Sequence, residues 1–299
     1  MILLWGGMDD PPVAAVHDAL CARGADLVHV DSGVLAAMGH DLTFDGQVRG
    51  WIEPSGRRVP VASIRAMYTR PQADPAPPPA SAAFLGLAAS VDAIVVNRPA
   101  AGRSNHAKPF QLGVIAAFGI AVPPTVVTTD PIVARAFLAR HGRIIYKSIS
   151  GVRSIVATLD EAEAGRLEGV RTGPVQLQRW IEGIDVRVHV VGRRWFATMI
   201  DSDAVDYRYA SASHHHRRMF ATTIPQALGE RLVALASDMG LLLAGVDLRL
   251  TPEDEWYCFE VNPSPGFTFF EEATDQPIAA AVADLLLGGC VDPAGGRTR

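Results

Sequence analysis

Two acidic residues and one amide carry the most specific chemistry in this chain. Asp247 lies in the apolar run Gly245-Val-Asp-Leu-Arg-Leu, and thirteen residues later Glu260 and Asn262 alternate within Phe259-Glu-Val-Asn-Pro. Side chains of a strand repeat every two residues, so Glu260 and Asn262 share one face, and a hairpin partner brings Asp247 onto it. Unpaired carboxylates are costly to bury in stretches this apolar, which argues for a ligand rather than a solvated edge. Three hard oxygen donors suit Mg2+ held jointly with phosphate oxygens far better than zinc or iron.

The cations point the same way. Only two lysines, Lys108 and Lys147, stand against twenty-five arginines. A lysine offers a compact, point-like ammonium on a flexible stem, suited to a phosphate oxygen in a narrow cleft. The net charge is -5 with both signs mixed along the chain. There is no basic stripe for nucleic acid and no polybasic segment for a membrane surface, so an anionic ligand has to be met by local cations. No run approaches the ~18 apolar residues of a membrane span, and the apolar start lacks the basic flank of a signal peptide. Cys21, Cys258 and Cys290 are odd in number and far apart, which predicts reduced thiols of a cytoplasmic protein rather than a disulfide framework or a zinc site. Cys258 is expected to face a core.

These residues need elements to position them, and 299 residues imply about two domains. Hydrophobic periodicity predicts a strand over 2–5, a helix over 11–22 after the Asp9-Asp10 cap signal and a strand over 26–30, which together make a βαβ unit. Strands over 47–52 and 66–69 follow. A Pro-rich stretch over 71–79 precedes a helix over 81–90, and a strand over 93–96 closes this half. No G-x-G-x-x-G follows the first strand, so a nicotinamide or flavin site is not supported. In the second half, helices are predicted over 108–118 with Gly119 as the stop, over 131–141 with Asp130 as the cap, over 225–239 and over 278–287. Strands are predicted over 143–147, 175–179, 186–191, 195–200, 244–250 and 256–261.

With these segments in place the chain resembles the ATP-grasp superfamily over roughly residues 97–287. The resemblance rests on Asp247...Glu260-x-Asn262, on Lys108, on Lys147 at a strand end, and on Gln178-Arg-Trp-Ile-Glu-Gly-Ile-Asp185-Val-Arg187. It implies an α/β (α+β) ATP-grasp fold. Residues 1–96 would form a Rossmann-like pre-ATP-grasp domain on the substrate side, and 97–288 the ATP-grasp domain. ATP would lie between subdomains 108–177 and 178–288, with 289–299 a tail. Lys108 and Lys147 would contact phosphates, aided by Ser148, Gly151 and Arg153. Gln178, Trp180 and Ile181 would border adenine, and Asp185 would hold ribose. Asp247, Glu260 and Asn262 would bind one or two Mg2+ ions, with Mn2+ as an alternative. Arg208 and Arg249 would stabilise the transferred phosphoryl group and an acyl-phosphate. The loop after Lys147 has one glycine, Gly151, where many members have several, which implies a shorter and stiffer cover.

Three further features resemble the branch of ribosomal-protein glutamate ligases and graspetide (microviridin-type) peptide cyclases. They are Met67-Tyr-Thr-Arg70-Pro71, Asn97-Arg-Pro...Asn105-x-x-Lys108...Pro123-x-Thr125, and Asn262-Pro...Gly266-Phe...Glu271. The implied activity is an ATP-dependent carboxylate–amine or carboxylate–hydroxyl ligase working through an acyl-phosphate, modifying or cyclising a peptide. One alternative is a ligase for free amino acids or small carboxylates, like glutamate ligases or glutathione synthetase; the other is a catalytically silent nucleotide-binding regulator. Intact lysines and metal ligands count against silence. Homodimers are common in the resembled family. The loop His214-His215-His216 is expected to be a solvated linker, and Glu271 with Glu272 and Asp275 a polar cluster at a helix start.

Overall fold

The computed structural model describes residues 1–71, 79–148, 156–202 and 217–288. The chain opens with a four-stranded parallel sheet of order β2-β1-β6-β7, formed by β1 (Ile2–Gly6), β2 (Leu27–Val30), β6 (Ala66–Arg70) and β7 (Ile94–Val96). Every residue of β1 is buried, as expected for a parallel strand covered on both faces. Helix α1 (Pro11–Cys21) covers one face, contributing Val13, Val16 and Leu20, and α2 (Pro79–Ser90) covers the other with Phe84 and Leu87. The last helix, α7 (Ile278–Leu286), returns to pack beside α1 in the same core. β7 is thus the last strand of this sheet in chain order, and the core around the sheet borrows a helix from the end of the chain.

Between β2 and β6 the chain forms a small antiparallel sheet of β3 (Gly39–Phe44), β4 (Val48–Glu53) and β5 (Val59–Pro60). The sequence pattern predicted only β4. β3 is exposed over almost its whole length, so it has no hydrophobic alternation to betray it. Its pairing depends on Gly50 at φ 119°, where a Cβ would collide with the Asp41 carbonyl oxygen.

The second half contains two antiparallel sheets. In the first, of order β10-β9-β11-β8, β8 (Thr125–Thr128), β9 (Ile144–Ser148), β10 (Val156–Leu159) and β11 (Val175–Arg179) are backed by α4 (Pro131–His141) and a 3-10 segment, Glu161–Thr172. Asp130 caps α4 as expected, its carboxylate accepting from Ile132 N–H. The second sheet, of order β14-β13-β12-β15-β16, comprises β12 (Ile184–Val191), β13 (Arg194–Ser202), β14 (Arg217–Thr222), β15 (Leu243–Leu250) and β16 (Trp256–Asn262). Helices α3 (Lys108–Ala117) and α5 (Gln226–Asp238) bury one face of it through Ile115, Leu228, Leu232 and Leu235. Helix α6 (Thr268–Thr274) follows β16. β8, β10, β14 and α6 were not predicted, each being too short to show a clear period.

A bulge in β16 decides what the second sheet presents. Asp247 pairs with Glu260, but Leu248 pairs with Cys258, so one extra residue is accommodated at Phe259. Cys258 and Val261, an odd number of residues apart, consequently both enter the core. Glu260 and Asn262 remain together on the opposite face.

Candidate active site

That opposite face is polar. Asp185, Arg187 and His189 alternate along β12, and Gly245, Asp247 and Arg249 lie directly across from them on β15 in reverse order. Glu260 is the cross-strand partner of Asp247, and Asn262 of Gly245. The three predicted oxygen donors thus occupy adjacent positions on two paired strands. Each acid already has a cationic neighbour: Arg187 Nη1 donates to Asp247 Oδ1 at 2.6 Å and Lys108 Nζ to Glu260 Oε2 at 3.3 Å. Asn262 Oδ1 accepts from the Ser264 N–H at 2.9 Å, a local turn that fixes the amide's orientation.

Arg187 was quoted in the sequence motif without a role. Its side chain is only 6% exposed, with its guanidinium carbon 5.8 Å from the centre of the Phe270 ring. Behind it lies His189, fully buried, with Nε2 3.5 Å from Arg187 Nε and its ring packed edge-on to Phe270. Burial, reinforced by the neighbouring guanidinium charge, holds the His189 imidazole well below its usual pKa, so the ring stays neutral. Gly245 makes room for this arrangement, because a Cβ there would run into Arg187 Nη2 and lie 2.7 Å from Pro265 Cβ. Gly245→Ala is therefore expected to displace the guanidinium from Asp247 and to lower turnover about tenfold or more, at an overpacking cost of about 1–3 kcal/mol. Turnover within twofold of wild type would show that the seat of Arg187 is not needed.

The donor set fits a hard divalent cation. Both carboxylates keep partial exposure, 26% for Asp247 and 20% for Glu260, so a ligand can reach them. Among the described residues no group of three or more His, Cys, Asp or Glu side chains converges. Two carboxylates and an amide leave coordination positions for phosphate oxygens, as Mg2+ prefers.

The adenine and ribose expectations fall at the junction of the two sheets. Gln178 is fully buried, its Nε2 donating to Thr125 Oγ1 at 3.0 Å. Trp180 stacks under Arg143 at 4.1 Å and its indole N–H donates to Glu182 at 2.8 Å. Arg249 bonds Asp185 Oδ1 through Nε and Nη2, at 2.9 and 2.7 Å, and the Ile181 carbonyl through Nη1 at 2.8 Å. Its guanidinium thus ties β12 to the 178–181 segment, away from the Asp247 pair, and Asp185 shares in that tie. A cavity of about 510 Å3 opens beside it, lined by Arg143, Trp180, Asp185, Met199, Phe220 and Arg249 among others.

On the other side of the site, the parallel sheet contributes residues at its carboxyl ends, where open α/β sheets bind ligands. Arg70 binds Asp10 through Nε at 2.6 Å and reaches Ser264 Oγ at 2.8 Å and the Pro265 carbonyl at 3.0 Å. Asn97 donates to the Leu243 and Pro263 carbonyls, both at 2.6 Å, and accepts from Leu242 and Leu243 N–H. Both residues stood in quoted motifs, and both join the first sheet to the strands that carry the acids.

Lys147 and Ser148 end β9, but their side chains lie outside what is described. Gly151, Arg153, Arg208 and the His214-His215-His216 loop also fall outside the described residues. Glu271 accepts from the Ala279 N–H at the start of α7 and is raised in pKa, first by burial, which accords with a structural place at a helix start. Cys258 is completely buried and its thiol pKa is pushed up by that burial, so it has no nucleophilic character.

The chain is similar to several known proteins. A family model described as a RimK-like ATP-grasp domain matches residues 104–286. Curated relatives include a probable alpha-L-glutamate ligase of Photobacterium profundum, 27% identical over 66% of this chain and 68% of its own length. Another, of Rhodopirellula baltica, is 28% identical over 66% of this chain and half of its own length. Among solved structures, a RiPP-associated ATP-grasp ligase of Chryseobacterium gregarium, in complex with ADP and a leader and core peptide, superposes with a TM-score of 0.83 at 22% identity, covering 97% of both chains. The ATP-grasp ligase PsnB complexed with a minimal precursor superposes at 0.81 with 27% identity, covering 97% of this chain and 99% of that one.

Proposed function

The chain belongs to the RimK-like ATP-grasp family, and from that premise we propose that it is an ATP-dependent ligase that activates side-chain carboxylates of a peptide and joins them to amine or hydroxyl groups. The observation that carries the reading is the single polar face on which Asp247, Glu260 and Asn262 adjoin Lys108 and Arg187. A carboxylate oxygen of the substrate attacks the terminal phosphorus of ATP and ADP leaves. The acceptor nucleophile then attacks the acyl-phosphate carbonyl, loses its proton and expels phosphate. Splitting the transfer in two leaves the protein mainly positioning and charge to supply.

Asp247, Glu260 and Asn262 would hold one or two Mg2+ ions, which draw charge from the transferring group when bound. Lys108, one helical residue into α3, is aimed at the same region and can exchange Glu260 for a phosphate oxygen. Arg187 can do likewise from Asp247, a bidentate donor facing developing negative charge. Arg249 keeps the 178–181 segment at a fixed distance from Asp185, so the proposed adenine and ribose contacts stand or fall together. Arg208, Lys147, Ser148, Gly151 and Arg153 keep the roles that the family resemblance implies. Among the described residues no helix is long and apolar enough to cross a membrane.

A peptide substrate is favoured over free glutamate because PsnB, which is complexed with a minimal precursor, superposes at a TM-score of 0.81 with 27% identity. The glutamate-ligase relatives match over about two thirds of this chain. The deciding experiment is ADP release with Asp- and Glu-bearing peptides and with free amino acids, followed by mass measurement. Loss of water from one peptide is expected; gain of a residue mass would instead establish ligation of a free amino acid, and no ADP with any of them would sink the reading.

A further inference from the structure

One side chain ties the helix that carries Lys108 to the strand that carries Glu260 and Asn262. β16 is an edge strand, with β15 as its neighbour in the sheet order, so its outward backbone groups need other partners; Ala121 serves one of them, its carbonyl accepting from the Cys258 N–H at 2.8 Å. Gln111 supplies both halves of one: its Nε2 donates to the Val261 carbonyl at 2.8 Å and its Oε1 accepts from the Val261 N–H at 2.9 Å. The amide therefore stands in for the peptide unit of a missing sixth strand. Gln111 is 1% exposed and the Val261 side chain is fully buried, which makes each lost bond expensive.

The residues on either side decide what this clamp controls. Val261 lies between Glu260 and Asn262, two of the three proposed ligands. Gln111 lies three residues after Lys108 on α3, hence on the same side of the helix. The clamp and the Lys108–Glu260 contact are thus two rungs between the same helix and the same strand.

We infer that Gln111 is a positioning residue, fixing α3 on the outer edge of β16 so that Lys108 and the proposed ligands Glu260 and Asn262 address the same phosphates. The inference rests on the ATP-grasp reading and predicts coupling between Gln111 and Lys108. The test is a double-mutant cycle on the full chain, reading AMPPNP affinity by calorimetry at saturating Mg2+. Gln111→Met, which keeps length and removes both hydrogen bonds, is expected to weaken AMPPNP binding about tenfold. In a Lys108→Ala background the same change should add less than about twofold, since it acts through a lysine no longer there.

Full additivity, with Gln111→Met costing the same in both backgrounds, would overturn the inference and leave Gln111 a purely structural clamp. If Gln111→Met fails to fold, Gln111→Glu is read in the same cycle; it keeps the acceptor for Val261 N–H, and the same criterion of additivity applies. Unchanged AMPPNP affinity in Lys108→Ala alone is a separate result, which removes Lys108 from the nucleotide site and so overturns both the ligand assignment and the inference. Weakened binding in that variant together with additivity sinks the inference only.

Discussion

Glu260→Gln is expected to reduce ADP release with the cognate substrate by about 10^3-fold while leaving the fold intact. The change removes one negative charge at a position directly across from Asp247 and keeps the side chain's volume, so core packing behind β16 is untouched. Two consequences oppose one another. Losing a hard anionic donor weakens the hold on a divalent ion, whereas losing the carboxylate charge 3.3 Å from the Lys108 ammonium removes one competitor for phosphate at that lysine. The first effect dominates for turnover, because the ion bears on the transferring group itself. Nucleotide binding without divalent ion should therefore fall little, or even strengthen, while the Mg2+-dependent part is lost. A melting temperature near wild type with undiminished ADP release would remove Glu260 from the metal set.

Arg187→Met should separate the metal requirement from the rate. In the present structure Arg187 and a cation compete for Asp247, since the guanidinium sits 2.6 Å from Oδ1. Removing the guanidinium relieves that competition, so the Mg2+ concentration giving half-maximal activity is expected to stay level or fall. Turnover is expected to drop about 10^2- to 10^3-fold, the loss typical of one preorganised donor aimed at developing charge. Stability should fall by about 1–3 kcal/mol, because Asp247 loses its charge-assisted hydrogen bond within a partly buried site. A parallel rise in the Mg2+ requirement would show instead that Arg187 only shapes the metal site and does not act on the transferred group.

Most of the second half was legible in the sequence because its signals are local. The run around Asp247 and the alternation of Glu260 with Asn262 follow the two-residue period of strands, and Asp130, Pro131 and Gly142 bracket α4 with ordinary capping chemistry. The strand pair that presents the acids was likewise predicted within a residue or so of β15 and β16. Less legible was the small sheet between β2 and β6, whose outer strand is exposed and so carries no periodic pattern. Arg249 illustrates a different limit. Its position two residues after Asp247 correctly puts it on the same face, but the long side chain turns to the Asp185 carboxylate and the Ile181 carbonyl, a choice that depends on where another segment ends.

Residue type and spacing by themselves determined the family to which the chain belongs and pointed to the oxygen donors and the two lysines proposed above, because each signal is written within a few consecutive residues. Only the tertiary structure decided which cation meets which acid. Arg187 reaches Asp247 across a strand pair sixty residues apart in sequence, and Gln111 meets Val261 across one hundred and fifty. The bulge at Phe259 then keeps Cys258 and Val261 inside while Glu260 and Asn262 stay out. Side-chain pairing over such separations depends on register and on the space left by glycines such as Gly245, and neither is fixed until the sheets have formed.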